Sequence, residues 1–211
     1  MWPARWALPA AADTHGADTQ QRLAQARELF EAGRKGSSAS VSEAQLRFND
    51  LLAQDPANPL YLAYLGSTYT LQARESSLPW TKIHLVNKGI DLLDQALSRL
   101  RAGEARAATA TPPLTLETRL VAVATFIALP DSLFHRMAEA KRTLREALAS
   151  PTLARADLGL RGHLIYEGAL IAREEHDIAA ERSALNQVLA LEPPGIDTAE
   201  LRARLSQLPG G

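Results

Sequence analysis

Residues 42–69, SEAQLRFNDLLAQDPANPLYLAYLGSTY, carry the pattern that decides the fold of this 211-residue chain. Small and apolar residues recur there at intervals of three and four on both sides of a proline, which is the spacing of packed amphipathic helices. The positions that form the pattern are Ala44, Phe48, Leu51, Pro56, Leu65, Gly66 and Tyr69. We expect Pro56 to end one helical unit and Gly66 to let a neighbouring helix approach closely.

The pattern resembles the tetratricopeptide repeat, a helical hairpin of about 34 residues with L-G-x2-Y on its first helix and A-x3-F-x2-A, then proline, around its second. Leu51 departs from that pattern, because the repeat has a small residue at this place. The resemblance implies that Tyr69 fills the hairpin. It also implies a right-handed α-solenoid in which the first helices of successive repeats line a concave face.

Helical patterns fill the rest of the chain, and no β-alternation accompanies them. Sequence breakers divide these patterns into four hairpins and a polar capping helix near the C-terminus, so we predict an all-α protein with one repeat domain at residues 18–208. The match is strong in the first half of the domain and looser in the second. In the third hairpin, the second helix is predicted to run without interruption through LFHRMAEAKRTLREALA, residues 133–149.

The second hairpin carries an insertion of about 11 residues relative to the repeat. Trp80, Ile83 and Val86 continue the helical spacing into it, so the insertion is predicted to lengthen the second helix by about 16 Å. The segment LPWTKIH at residues 78–84 aligns without gaps with LPDSLFH at residues 129–135. We therefore expect the two central hairpins to be enlarged and their overhanging helix starts to lie side by side.

The overhangs supply the first candidate site, which comprises Trp80, Ile83, His84 and Phe134. One interpretation is that the aromatic side chains bury between the overhangs and only add to the core. A second is that the overhangs form the wall of a partner groove or a dimer face, with Trp80 as an anchor. A third is contact with a membrane surface, because Lys82 and Arg136 lie beside the aromatic residues.

The concave face supplies the second candidate site, as the resemblance implies. It contains Ala63, Ser67 and Thr70 on one first helix, with Tyr166 and Arg173 among the rough counterparts in the fourth unit. Small neutral groups disfavour a clamp for a peptide's terminal carboxylate. The same residues do not disfavour an apolar groove that binds an extended or helical segment.

Catalytic, metal and cofactor sites are not indicated. The chain has no cysteine, and its 23 Lys and Arg nearly balance 24 Asp and Glu, so broad attraction to nucleic acid is not expected. His84 and His135 would stand about 8–10 Å apart on neighbouring helices, which is too far for a shared zinc ion. No apolar run is long enough for a transmembrane segment.

The first residues, MWPARWALPAAADTHG, resemble the end of a secretory signal peptide, since a short apolar stretch precedes small alanines. We interpret residues 1–17 as either a remnant of such a signal or a disordered tail. A signal would place the mature protein in the periplasm or outside the cell. A tail would leave a cytoplasmic location open.

These patterns together predict a non-catalytic scaffold or adaptor that binds another protein or a peptide, in the cell envelope of a bacterium if the signal is real. The repeat-packing residues are expected to be Leu65, Gly66, Tyr69, Ala44, Phe48 and Pro56. A structural module that forms homodimers through the overhangs is the alternative. A helical enzyme whose site includes His163, Tyr166 and Arg173 is a third hypothesis.

Overall fold

The computed structural model describes residues 11–106 and 112–209. Within these two segments the chain forms ten α-helices and one short 3-10 turn, and contains no strand. The helices are α1 (Ala11–Arg34), α2 (Ser38–Gln54), α3 (Pro59–Glu75), α4 (Pro79–Arg106), α5 (Pro112–Ile127), α6 (Asp131–Phe134), α7 (Met137–Leu148), α8 (Leu158–Glu174), α9 (Ile178–Leu191) and α10 (Thr198–Gln207). The predicted all-α class is therefore confirmed.

The start of the chain is described only from residue 11 onward. Helix α1 begins at Ala11, before the start that the sequence pattern indicated. Residues 1–10, which carry most of the signal-like pattern, lie outside the described residues, so the interpretation of residues 1–17 stays a prediction.

The helices pack mainly on their neighbours along the chain. Helix α1 packs on α2, α3 on α4, α5 on α7 and α8 on α9, while α10 packs on α9. Each pair also contacts the next one, because α1 touches α3, α3 touches α5 and α5 touches α8. One cluster of buried apolar side chains runs from α1 through to α8, so successive pairs share a core.

Polar side chains in the loops fix where several helices begin. Backbone N–H groups in the first turns of α2, α3 and α8 donate to Ser37, Asn58 and Asp157 respectively. Asp177 and Asp197 accept the equivalent hydrogen bonds at the starts of α9 and α10. These caps satisfy donors that have no partner inside the helix, which is why the breaks in the sequence pattern become helix boundaries.

An aromatic cluster joins the first three helices. The rings of Phe48 and Tyr64 stack with their centroids 4.7 Å apart, and Phe30 meets Tyr64 edge-on at 5.0 Å. Phe48 is fully buried, and Pro56 lies in the turn between α2 and α3. The offset and edge-on geometries are those that aromatic quadrupoles favour, so the cluster fixes α3 against the first pair.

The crossing of α3 and α4 depends on two glycines. A Cβ atom on Gly66 would lie 2.7 Å from the carbonyl oxygen of Gly89, and one on Gly89 would lie 2.6 Å from the carbonyl oxygen of Gly66. Both obstacles are backbone atoms, which cannot rotate away as a side chain can. The close approach predicted at Gly66 is therefore confirmed, and its partner is another glycine.

The two enlarged hairpins differ from each other. Helix α4 runs from Pro79 to Arg106, so the first insertion lengthens the helix as predicted. The predicted uninterrupted helix in the third hairpin is wrong, because His135 has φ of 52° and ends α6. The backbone N–H of Met137 then donates to the Asp131 carboxylate at 2.8 Å, which starts α7 as a separate helix. The gapless alignment concealed this break.

Replacing Gly66 by alanine should destabilise the protein by about 2–3 kcal/mol, because the added methyl group forces α3 and α4 apart. Gly103→Ala is the matched control on α4, since no atom lies within 4 Å of the position that its Cβ would occupy. We expect the control to be neutral or more stable by about 0.5–1 kcal/mol, as alanine favours a helix over glycine. Urea unfolding measures both, and equal stability of the two variants would contradict the close-contact explanation.

Candidate partner-binding surface

The start of α4 and the short helix α6 expose large apolar side chains. Trp80 is 68% exposed and Ile83 is 52% exposed, while Leu133 on α6 is 69% exposed. Leu78, just before α4, is also exposed. Trp80 and Ile83 are three residues apart and share one face of the helix, so they form a short apolar ridge. His84, one turn after Trp80, is exposed as well.

A small apolar cluster lies beneath this ridge. Val86 and Ile90 of α4 are buried there together with Ala73 of α3. Phe134 and Leu129 pack against the cluster and are half-buried. Phe134 thus adds to the core, as the first interpretation of the overhangs predicted. Trp80 does not, because its ring is left in solvent.

An ion pair holds α6 and α7 near α4. The Arg136 guanidinium pairs with Asp94 of α4 and lies over the ring of Phe126, 4.4 Å from its centroid. Lys88 lies over the ring of Tyr69 at 4.2 Å, which covers that half-buried tyrosine from outside. These contacts join α3, α4 and α5 to one another and to the segment between α6 and α7. They therefore hold the helices that carry the exposed ridge against the rest of the protein.

The predicted concave-face residues of α3 are buried. Ala63, Ser67 and Thr70 are covered by neighbouring helices. Thr125 of α5 donates its hydroxyl to the Ser67 hydroxyl oxygen at 2.8 Å, and the methyl group of Thr70 packs beside Gly89. These side chains are therefore unavailable to a partner in this structure, because α4 and α5 occupy the face that the repeat pattern leaves open.

Tyr166 and Arg173 belong to a different cluster at the C-terminal end. Tyr166 is half-buried against apolar side chains of α9 and α10, and burial raises the pKa of its phenol. The Arg173 Nε atom donates to the Glu181 carboxylate at 2.9 Å. The structure thus does not combine these two residues with the ridge at Trp80.

Glu181 joins the last three helices. Its side chain is only 2% exposed and accepts hydrogen bonds from Arg173 of α8 and from both Nε and Nη2 of Arg204 of α10. Hydrogen bonds from Arg204, and then from Arg173, hold its pKa below the ordinary value against the effect of desolvation. The repeat pattern has alanine at this place, so the glutamate marks an ionic contact that anchors α10.

A second buried ionic contact joins the first helices of three pairs. Arg27 of α1 donates from Nε to Glu117 of α5 at 2.6 Å, and the Tyr64 hydroxyl donates to the same carboxylate at 2.7 Å. Burial, and then the charge of Glu117, raise the pKa of Tyr64. These residues are far apart in sequence and follow no local motif, so sequence reasoning did not find them.

Glu167 of α8 is a buried carboxyl group. It is 6% exposed, so water reaches little of its side chain. Desolvation raises its pKa to about 7, although the Arg34 charge lowers it. One signal for it exists in the sequence, since Glu167 is the single charged residue in the otherwise apolar run HLIYEGALI.

Other kinds of site were sought in the described residues. No group of three or more His, Asp or Glu side chains there is placed to hold a metal ion. Within the same residues, no helix combines the length and the apolar character needed to cross a membrane. A shallow groove of about 400 Å³ does lie between α1 and α2. It is lined by Gln25, Glu28, Leu29, Ala32, Glu43 and Arg47.

Replacing Glu167 by glutamine should change the pH dependence of stability. The raised folded-state pKa means that the native protein holds a proton that the unfolded chain releases, so wild-type stability falls as pH rises from about 4.5 to 7. Glu167→Gln removes that fall, which amounts to about 2–3 kcal/mol. The two proteins should be equally stable at pH 4.5, and the variant more stable at pH 7.5, in urea unfolding series. If the stability of the two proteins changed with pH in the same way, the raised pKa of Glu167 would be contradicted.

Glu181→Gln should behave in the opposite way. Its folded-state pKa is lowered, so the carboxylate stabilises the protein above its ordinary pKa, and that contribution disappears as pH falls through the folded value. At pH 7 we expect the variant to lose about 2 kcal/mol, because two charge-assisted contacts are weakened. The difference from wild type should shrink in acid. A constant difference from pH 7 to pH 3 would mean that the ionic contacts do not stabilise the fold.

The exposed ridge is the part of the described chain best suited to contact another molecule. It offers apolar and aromatic area at the start of α4 and on α6. Comparison of the chain with family models, curated proteins and solved structures found no match. A function must therefore be argued from the chemistry of this surface.

Proposed function

We propose that this chain is a non-catalytic adaptor that binds another protein or a peptide through the ridge of Trp80 and Ile83 on α4, together with Leu78 just before α4 and Leu133 on α6. The observation that carries the proposal is the exposure of Trp80 on a continuous helix. Tryptophan is enriched among residues that dominate binding energy, because a large rigid ring gains much contact area at little entropic cost. Single exposed leucines need no such explanation, but a tryptophan accompanied by three further exposed apolar residues does.

The proposal includes a tetratricopeptide-like right-handed solenoid as the scaffold. Its support is that each helix pair packs on the next, and that the first helices of successive pairs touch one another. Gly66 at the crossing of α3 and α4 agrees with the place that the repeat gives to its glycine. In this scheme the second pair extends beyond its neighbours as the α4 overhang, and α6 covers one side of that overhang.

We also propose that the protein is located in the cell envelope of a bacterium, with the cytoplasm as the alternative location. The signal-like pattern of residues 1–17 supports export. N-terminal sequencing of the protein purified from its source tests this directly. A mature chain that begins near Asp13 would support export, and an unprocessed chain recovered from the cytoplasm would exclude it.

The same ridge also supports a second candidate function, a symmetric homodimer. An apolar ridge can pack against its own copy across a two-fold axis, with Trp80 contacting the partner's ridge. Sedimentation equilibrium distinguishes this from binding of a different protein. A dimer that Trp80→Ala dissociates supports self-association, whereas a monomer at high concentration excludes it.

Trp80→Ala should weaken partner binding by at least about tenfold while changing stability by less than about 0.5 kcal/mol, since the ring contributes little to the core. Leu46→Ala is the matched control, because Leu46 is an exposed apolar residue on α2 outside the ridge. The measurement is affinity capture with photo-crosslinking from position 83, followed by titration of the identified partner. Undiminished binding by Trp80→Ala, or equal loss in the Leu46 control, would exclude the ridge as the binding surface.

A further inference from the structure

The break between α6 and α7 interrupts a stripe of apolar residues that would fit one continuous helix. Phe134 lies before the break, and Met137, Ala140 and Leu144 follow it at intervals of three and four. All four side chains are buried or half-buried. Residues at this spacing share one face of a helix, so the side chains on both sides of the break suit the same uninterrupted helix.

The aligned segment of α4 shows that the same residue types permit the uninterrupted form. His84 occupies in α4 the position that His135 occupies at the break, and α4 passes through His84 without interruption. Pro130 likewise aligns with Pro79, the first residue of α4, and proline is well tolerated in the first turn of a helix. Neither the histidine nor the proline therefore requires a break.

The broken form is strained at His135. Its φ of 52° and ψ of 45° place it in the left-handed region, where a Cβ atom crowds the backbone and glycine is the usual residue. Among the described residues, the regular backbone bonds of α6 stop at the N–H of His135, which donates to the Asp131 carbonyl oxygen at 2.9 Å. They resume at the N–H of Ala140, which donates to the Arg136 carbonyl oxygen at 2.9 Å. A continuous helix would add the bonds that are missing between these two.

Two contacts hold the break in place. The Asp131 carboxylate accepts the N–H of Met137 at 2.8 Å, and the Arg136 guanidinium pairs with Asp94 of α4. The second contact is incomplete, because the Nε atom of Arg136 is buried and has no hydrogen-bond acceptor among the described residues. A few specific contacts thus oppose backbone strain and missing helical bonds, which is the balance expected of an element with two accessible arrangements.

We propose that residues 131–136 form a switch with two arrangements, the broken one of this structure and a second in which α6 and α7 join into one continuous helix. In the broken form Leu133 lies in solvent and adds to the apolar surface at Trp80. In the continuous form Leu133 moves onto an extension of α7, so a partner that contacts it in one form shifts the equilibrium toward that form. This effect on binding rests on the proposed function, whereas the switch itself does not.

Substitutions at His135 should move the equilibrium in opposite directions. Glycine accepts the left-handed conformation and disfavours a helix interior, so His135→Gly should favour the broken form by about tenfold. Alanine has the reverse preferences, so His135→Ala should favour the continuous form by about tenfold. Asp131→Ala removes the cap of α7 and should favour the continuous form by a further factor of about five.

Distances between two spin labels report the arrangement in the full chain without any partner. The chain contains no cysteine, so Ser98→Cys on α4 and Ser132→Cys on α6 supply two exposed attachment sites. His135→Gly should give a single distance. The double variant Asp131→Ala, His135→Ala should give a second distance that differs by on the order of 6 Å, because about four residues of helix separate Ser132 from the break. His135→Ala alone should show the same second distance in smaller proportion.

Hydrogen exchange separates a continuous helix from a frayed one. In the continuous form the amides of residues 136, 138 and 139 gain helical acceptors, so the double variant should protect them at least about tenfold more than His135→Gly. His84→Ala is the matched control, since it removes the aligned histidine from an uninterrupted helix, and it should change neither measurement. An unchanged distance in both alanine variants, or a changed distance with unprotected amides, would overturn the switch. Because both measurements are made without a partner, they remain decisive even if the surface at Trp80 binds none.

Discussion

The contact between the backbones of Gly66 and Gly89 is the constraint on which the rest of the structure depends. Two helices can approach this closely only where neither carries a Cβ atom, so the crossing point of α3 and α4 is fixed to one residue on each. That crossing buries Leu93, Ala96 and Leu97 of α4 in the main core. The first turns of α4 precede this crossing, and Trp80 lies there on a face of the helix that is open to solvent.

Buried ionic contacts join helices whose relative positions the apolar core does not specify. Glu117 is held by Arg27 and Tyr64 from two other helices, and Glu181 is held by Arg173 and Arg204. Apolar side chains tolerate small shifts between helices, whereas a desolvated carboxylate requires its donors at hydrogen-bond distance. We expect contacts of this kind to fix the register between helices as well as to stabilise the fold. Glu167 differs from Glu181, since burial raises its pKa whereas hydrogen bonds from arginine lower that of Glu181.

The two aligned segments at residues 78–84 and 129–135 show the limit of reading structure from sequence similarity. Both begin with Leu-Pro and end with His, yet the first continues as one long helix and the second breaks. Asp131 makes the difference, because its carboxylate accepts the N–H of Met137 and starts a new helix there. The sequence left open whether Trp80 is buried or exposed, and the structure leaves it exposed. Leu133 was missed because its exposure follows from that break.

The sequence by itself determined the all-α class, most of the helices and the close approach at Gly66, because capping, proline breaks and periodicity act within a few residues of one another. It also identified which residues share a face of each helix. Only the tertiary structure decided which helix covers which face. Ser67 and Thr70, expected on an open surface, are buried because α4 and α5 cover that side of α3, and Glu167 lost its access to water in the same way. Burial is a property of the whole arrangement, since it depends on residues far away in the chain that no local pattern specifies.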